Sequence, residues 1–200
     1  MRILGISGSL RRGSYNTALL RHAHEFFERE GVEFEIDDEL RSIPPFDEDC
    51  EENEPIAVAQ YRDAVARADA VLFATPEYNS SIPGELKNGL DWLSRPLATN
   101  PIRNKPVAVI GASIGAFGAV WAQAELRKVL SAMGARVLEG DVAIGHVADR
   151  FDSQGLLNDP NLEEELADVV RALIVEALAR DEAAVGSSET PAVDNGFASR

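Results

Sequence analysis

Five short apolar runs alternate with five segments of helical periodicity, and this alternation constrains the fold more than any other feature of the sequence. The apolar runs are Arg2–Ser7, Glu33–Asp37, Ala70–Thr75, Val107–Ala112 and Arg136–Val142. The helical segments are Asn16–Glu30, Pro55–Arg67, Pro83–Ser94, Phe117–Met133 and Leu162–Arg180. Such a βα alternation predicts an α/β fold with a parallel sheet covered by helices on both faces. The runs VLFAT and VAVIGA are nearly all apolar, as strands buried on both faces must be. Pro55 and Pro83 suit the first turn of a helix, where a missing N–H costs nothing. Gly31 and Gly134 follow helices and fit left-handed caps. From Asp181 onward the periodicity fades and Ser, Gly, Pro and Asp accumulate. Residues 1–180 therefore read as one domain, and 181–200 as a disordered or loosely attached tail.

The charge balance narrows the partners. The formal net charge is -15, and lysine occurs only at Lys87, Lys105 and Lys128. Nucleic acid and anionic membrane both require positive surface, so neither is expected as a partner. The acidic excess reads as a well-solvated surface. Cys50, the single cysteine, lies in DEDCEENE; it permits no disulfide within the chain, and a thiol among carboxylates is a poor nucleophile. The N-terminus lacks the pattern of a signal peptide, and no window reaches the ~20 apolar residues of a membrane span. A cytoplasmic location is the expectation.

Chemistry in an open parallel sheet belongs beyond the carboxyl ends of the strands, where the strand order reverses. Three such ends are rich in polar residues and glycine: GSLRRGSYN (8–16), TPEYNSSIPG (75–84) and ASIGAFG (112–118). In a five-stranded three-layer αβα sandwich of order 2-1-3-4-5, strands one, three and four are neighbours, so these loops converge on one crevice. The first loop suits an anion. Ser9, Ser14 and Asn16 offer donors, Arg11 can fork onto phosphate oxygens, and a helix N-terminus follows. Ser14 or Asn16 taken singly would be an ordinary helix cap.

The nucleotide motifs that this loop superficially resembles fail on particular residues. In Gly8-x-x-x-x-Gly13-Ser14, Ser14 stands where a P-loop has lysine, and Tyr15 where it has the magnesium-binding hydroxyl. Gly5, Gly8 and Gly13 do not have the G-x-G-x-x-G spacing of dinucleotide sites. A terminal monophosphate bound without metal remains. Pro76, Glu77, Tyr78 and Asn79 combine an aromatic, an amide and exposed backbone, which suits the edge of a flat heterocycle; a tight turn explains the same residues. Leu86, Leu90 and Leu93 form a core stripe, and Trp92 is free to face either the core or a partner subunit. Gly111-Ala112-Ser113-Ile114-Gly115 has the form of a nucleophile elbow. A serine hydrolase would need an acid and then a histidine after Ser113. His146 is the only downstream histidine, and Asp141 lies too near it in sequence. His22 and His24 lie two apart on a helix, face different sides, and make no metal pair.

The stretches G-S-L-R-x-G-S-x-N at 8–16 and P-E-Y-N-x-S-x-P-G-x-L-K-N-x-x-D-W-x-S-R at 76–95 resemble those of the NAD(P)H-dependent FMN reductase family, the flavodoxin-like group that includes quinone and chromate reductases. The resemblance spans Met1 to about Ala179. It implies a flavodoxin-like fold, bound FMN, and NADPH or NADH as co-substrate. It also implies ping-pong hydride transfer through flavin N5 to a quinone, a flavin or a similar small-molecule acceptor. By the same resemblance Ser9, Arg11, Ser14 and Asn16 hold the FMN phosphate, with Leu10, Arg12, Gly13 and Tyr15 completing the loop. Pro76, Glu77, Tyr78 and Asn79 line the ring, and Ser113 with Gly115 close its other side. No side chain need act as a catalytic acid or base, because the flavin carries the chemistry. The family implies a homodimer, or a homotetramer. Where many members read G-G-x-R-A-Q, this chain has Gly118-Ala119-Val120-Trp121-Ala122-Gln123, which leaves the choice between NADPH and NADH open. The alternatives are a flavin-binding electron carrier or redox sensor, and a hydrolase using Ser113.

Overall fold

The computed structural model describes residues 1–140, 142–152 and 155–188, with side chains as far as Arg180. Strands β1 (Arg2–Ser7), β2 (Glu33–Asp37), β3 (Ala70–Thr75) and β4 (Pro106–Ala112) pair in parallel in the order β2-β1-β3-β4, as expected. The helices are α1 (Tyr15–Arg29), α2 (Ile56–Arg67), α3 (Gly84–Leu93), α4 (Val120–Ala132) and α5 (Pro160–Ser188). Side chains alternate along each strand, so a fully buried strand must feed two cores. Ala70, Leu72 and Ala74 face α1 and α5, while Val71 and Phe73 face α2, α3 and α4. Gly31 and Gly134 take φ of +69° and +86° after their helices, as left-handed caps require.

The fifth strand departs from expectation. Arg136–Val142 is not one strand but two short ones, β5 (Arg136–Val137) and β6 (Val142–Ile144), both parallel to β4. β5 pairs with Pro106 and Val107, and β6 with Ile110 to Ala112. Between them the chain leaves the ladder at Gly140, whose φ is +126°. The Val109 carbonyl that the gap strands is taken by Arg127 from α4, which donates to it at 3.0 Å and to the Gly140 carbonyl at 2.7 Å. A glycine in an apolar run marks such a break.

The fold places Trp92 and Cys50, and the last helix outruns its expected end. Trp92 is buried, and its indole N–H donates to the Pro44 carbonyl at 2.9 Å, so it faces the core and no partner. Cys50 is half-buried against the α2–α3 core. Helix α5 runs eight residues beyond Arg180; residues 189–200 of the expected tail lie outside the described residues, as does Asp141. Among the described residues, no helix is long and apolar enough to cross a membrane.

Candidate functional site

The strand register brings the three polar loops level. Ser7 pairs with Ala74 and Thr75 with Gly111, and the Gly8 N–H donates to the Ala74 carbonyl at 2.8 Å. The loops meet at one crevice of about 500 Å³ at the carboxyl ends of β1, β3 and β4. The first loop contributes Ser9, Arg11, Ser14, Tyr15 and Asn16, the second Pro76, Glu77 and Tyr78, and the third Ser113. Ala112, Ile114 and Val147 complete the lining; the first two belong to the expected third loop without having been singled out, and Val147 was missed. Ala112 and Ile114 flank Ser113; Val147 had no local signal, being brought in by the turn after β6.

In the first loop, Ser14 caps α1. Its Oγ accepts from the N–H groups of Asn16 and Thr17 at 3.2 and 3.4 Å, which leaves its own proton to donate. Asn16 is buried, and its amide closes a two-way bond with the backbone of Ala112: the side chain donates to the carbonyl and accepts from the N–H, both at 3.0 Å. It staples the start of α1 to the end of β4, a role that sequence alone did not reveal. The Arg11 guanidinium lies over the Tyr15 ring at 5.4 Å and has no ion pair or side-chain hydrogen bond among the described residues. Leu10 and Arg12 line a different cavity beside the loop. Gly13 sits outside the crevice with φ of +68°, a conformation that a side chain would strain.

The second loop is a tight hairpin turn. Tyr78 and Ser81 exchange backbone bonds at 3.0 and 3.1 Å, and Asn79 and Ser80 between them have φ of 53° and 60°. Two successive left-handed residues are what a two-residue type I′ turn demands, and Asn tolerates that region. Asn79 thereby lies outside the crevice lining, at the exposed tip. Glu77 turns the other way. Its carboxylate accepts from the N–H groups of Trp121 and Ala122, both at 3.1 Å. Helix α4 has no side-chain cap of its own, because its N-cap is Ala119. Glu77 supplies that cap from another loop, where the helix dipole favours a negative charge.

The third loop is stitched to the segment after β6. The Ser113 N–H donates to the Ile144 carbonyl at 2.9 Å, the Val147 N–H to the Ser113 carbonyl at 3.1 Å, and the His146 N–H to the Gly115 carbonyl at 3.0 Å. Ser113 Oγ accepts from the Gly115 N–H at 3.1 Å. Gly115 thus shapes the loop without lining the crevice. Among the described residues, no imidazole or carboxylate is hydrogen-bonded to Ser113 Oγ, and the elbow lacks the base that would activate a nucleophile.

The donor set suits an anion joined to a flat apolar group, with Arg11 and the Ser14 hydroxyl at one end and Pro76, Tyr78 and Ile114 at the other. Residues 1–149 match the NADPH-dependent FMN reductase family. The chain is 42% identical over 175 residues to an NAD(P)H-dependent FMN reductase of Pseudomonas aeruginosa, covering 86% of this chain and 93% of that one. It is 39% identical to a probable NADPH:quinone oxidoreductase of Oryza sativa, covering 89% of each. Among solved structures it is similar to a flavoenzyme NAD(P)H:(acceptor) oxidoreductase of Paracoccus denitrificans, with a TM-score of 0.79, 31% identity, and coverage of 89% of this chain and 97% of that one. A crevice built by the two motif-bearing loops and the glycine loop, on a match this extensive, leaves one assignment: the chain belongs to the NADPH-dependent FMN reductase family.

Proposed function

We propose that the protein binds FMN in this crevice and uses it to pass hydride from NAD(P)H to a quinone, a flavin or a similar acceptor in a ping-pong cycle. The observation that carries the reading is the single crevice lined by all three loops. FMN, when bound, supplies the two-electron chemistry. The protein binds and orients. Arg11 and Ser14 hold the phosphate, with Ser9 beside them. Pro76, Glu77 and Tyr78 line one side of the ring, mostly through backbone, and Ser113 lines the other. Asn16 and Glu77, besides lining the crevice, fix the first loop to β4 and the second to α4. Ile114 and Tyr78 are 75% and 50% exposed at the crevice, which leaves a face on which a nicotinamide and then a quinone can stack in turn.

Phe117 and Trp121, exposed and 5.1 Å apart edge to face, form an apolar pair where α4 begins, at the helix end that Glu77 caps. They give a second copy a surface to cover, which supports a homodimer. The deciding experiment is the visible spectrum of the purified protein, followed by NADH and NADPH oxidation with and without a quinone. Flavin bands and quinone-dependent turnover are expected. A colourless protein that stays colourless after incubation with FMN overturns the reading. A yellow protein with background turnover makes it a carrier rather than a reductase.

A further inference from the structure

A second cavity, of about 490 Å³, lies on the other side of the first loop, between that loop and the turn after β2. It shares Ser9 and Arg11 with the crevice, so the two adjoin across the loop. Its size is within the ~300–1,000 Å³ of small-molecule sites. The proposed function makes no use of it.

The lining is bipolar. Arg11 and Arg12 come from the first loop, and Asp37, Asp38 and Glu39 from the end of β2. Leu10, Ile36 and Leu40 supply apolar wall. The walls are tied together by Arg41, which donates to the Leu10 carbonyl. The floor is fixed by Thr17 Oγ1 donating to Ser7 Oγ at 2.9 Å. Asp37 is held by one oxygen, which accepts the Glu39 N–H at 2.9 Å, and its second oxygen has no partner among the described residues. A ligand that fits is anionic at one end, carries hydroxyl donors in the middle, and has a flat apolar part. A carboxylate at the end of the second strand of a parallel α/β unit is well placed for a ribose diol.

We infer that this cavity is a subsite for a ribonucleoside 5′-phosphate, with its phosphate on Arg12 and the shared Arg11, its ribose diol on Asp37, and its base against Leu10, Ile36 and Leu40. The inference rests on the proposed function, because the first loop is the wall between both sites. Two molecules carry the required group: the adenylate half of FAD, continuing from the flavin phosphate, and the adenylate half of the hydride donor. In the second case the carboxylates repel a 2′-phosphate, and NADH is preferred to NADPH.

The test is calorimetric titration of FMN-loaded protein with AMP and ADP-ribose, and of apoprotein with FMN and FAD, for the wild type and Asp37→Asn. AMP is expected to bind the wild type and to weaken roughly tenfold or more in Asp37→Asn, the scale of one hydrogen bond to a charged group, while FMN affinity is unchanged. If FAD is the source, its affinity for apoprotein falls in the variant and FMN's does not. If the hydride donor is the source, the variant raises KM for NADH at constant kcat and narrows the NADH:NADPH ratio. Equal AMP affinity in both proteins, with FAD and NADH also unaffected, overturns the inference. Apoprotein that fails to bind FMN overturns instead the reading on which it rests.

Discussion

The two ends of the sheet use polar residues in opposite ways. At the amino end they are spent on the protein's own backbone. Lys105, 1% exposed at the start of β4, donates to the carbonyls of Ala66 and Ala68 at the end of α2. Asn100 donates to the Met133 carbonyl at 2.9 Å and accepts from the Ile102 N–H at 3.0 Å. Asp69 accepts from the Arg2 N–H at 2.7 Å. At the carboxyl end, Arg11 and the Ser14 proton are held in place and left unspent, beside Asn16 and Glu77, which do the holding. The same residue types therefore close one end and keep the other ready for a ligand. A buried polar group must be satisfied; a binding group must be positioned yet unsatisfied until the ligand comes.

Substitutions that separate the two ends break this comparison most directly. Lys105→Ala strands two carbonyls at a helix end, each worth ~1–3 kcal/mol when buried without a partner. Burial pulls the Lys105 ammonium down to about 8, so part of that cost is returned when the charge is removed. We expect a loss of about 3 kcal/mol in urea unfolding, with FMN affinity of the folded fraction unchanged. A loss under ~1 kcal/mol means that the amino-end contacts are ornamental. Arg11→Ala is the mirror case. Removing a charged clamp on phosphate costs ~1.5–3 kcal/mol of binding, or roughly ten- to over a hundredfold in FMN affinity. The stability of the apoprotein should not change, since the Arg11 side chain makes only a ring contact with Tyr15 and its backbone bonds survive the substitution. Unchanged FMN affinity would remove Arg11 from the phosphate site.

The amino end was nearly illegible in the sequence, and the carboxyl end was half legible. The sheet order followed from the βα alternation, because periodicity reports burial directly. The convergence of GSLRRGSYN, PEYN and GASIG followed from that order. What stayed hidden were side chains whose partners are far away in sequence. Asn16 reads as a donor in a phosphate loop, yet its amide meets Ala112, 96 positions on. Glu77 reads as part of a ring-binding loop, yet it caps a helix 44 positions on. Lys105 carries no sequence signal of its carbonyl partners at the end of α2. The broken fifth strand was hidden for a related reason: Gly140 hints at the break, but the guanidinium that makes it tolerable comes from α4.

A smaller effect sharpens the comparison on the side of the second cavity. Burial raises the Asp37 carboxyl from its ordinary 3.8 to about 6. Glu39, Asp38 and Glu35 on its own segment add to the rise, while the Glu39 N–H opposes it; Arg11, Arg12 and Arg41 stand across the cavity. Between pH ~4 and ~6 the folded protein then binds more protons than the unfolded chain, so this group makes stability fall as pH rises through that window. Asp37→Asn should flatten that part of the profile. At pH 7 the variant should gain about 1 kcal/mol, less than the full shift implies, because solvent reaches the group. Urea unfolding at pH 4, 5, 6 and 7 reads this out, and identical profiles would show that Asp37 ionises freely in the folded state.

The smallest expected effect lies where the sequence departs from the family pattern. Ala119 stands where many members have a second glycine, and it adopts φ of +63° at the start of α4. A left-handed alanine costs ~1–2 kcal/mol. Two terms oppose that strain. The Ala119 methyl is buried in the α2–α4 core, and burying one such carbon contributes ~0.8 kcal/mol. Glycine would also give up ~0.5–1 kcal/mol more conformational entropy on folding. These nearly cancel, so Ala119→Gly should change stability by less than about 0.5 kcal/mol, measured by urea unfolding of the apoprotein. The neighbouring Gly118 has no such freedom. With φ of +58°, a Cβ there would lie 2.2 Å from the Ala143 carbonyl carbon, so Gly118→Ala should unfold the loop that Ala119→Gly leaves intact. A gain above ~1 kcal/mol from Ala119→Gly would instead mean that strain is stored beside the site, held there by Glu77 on the first turn of α4.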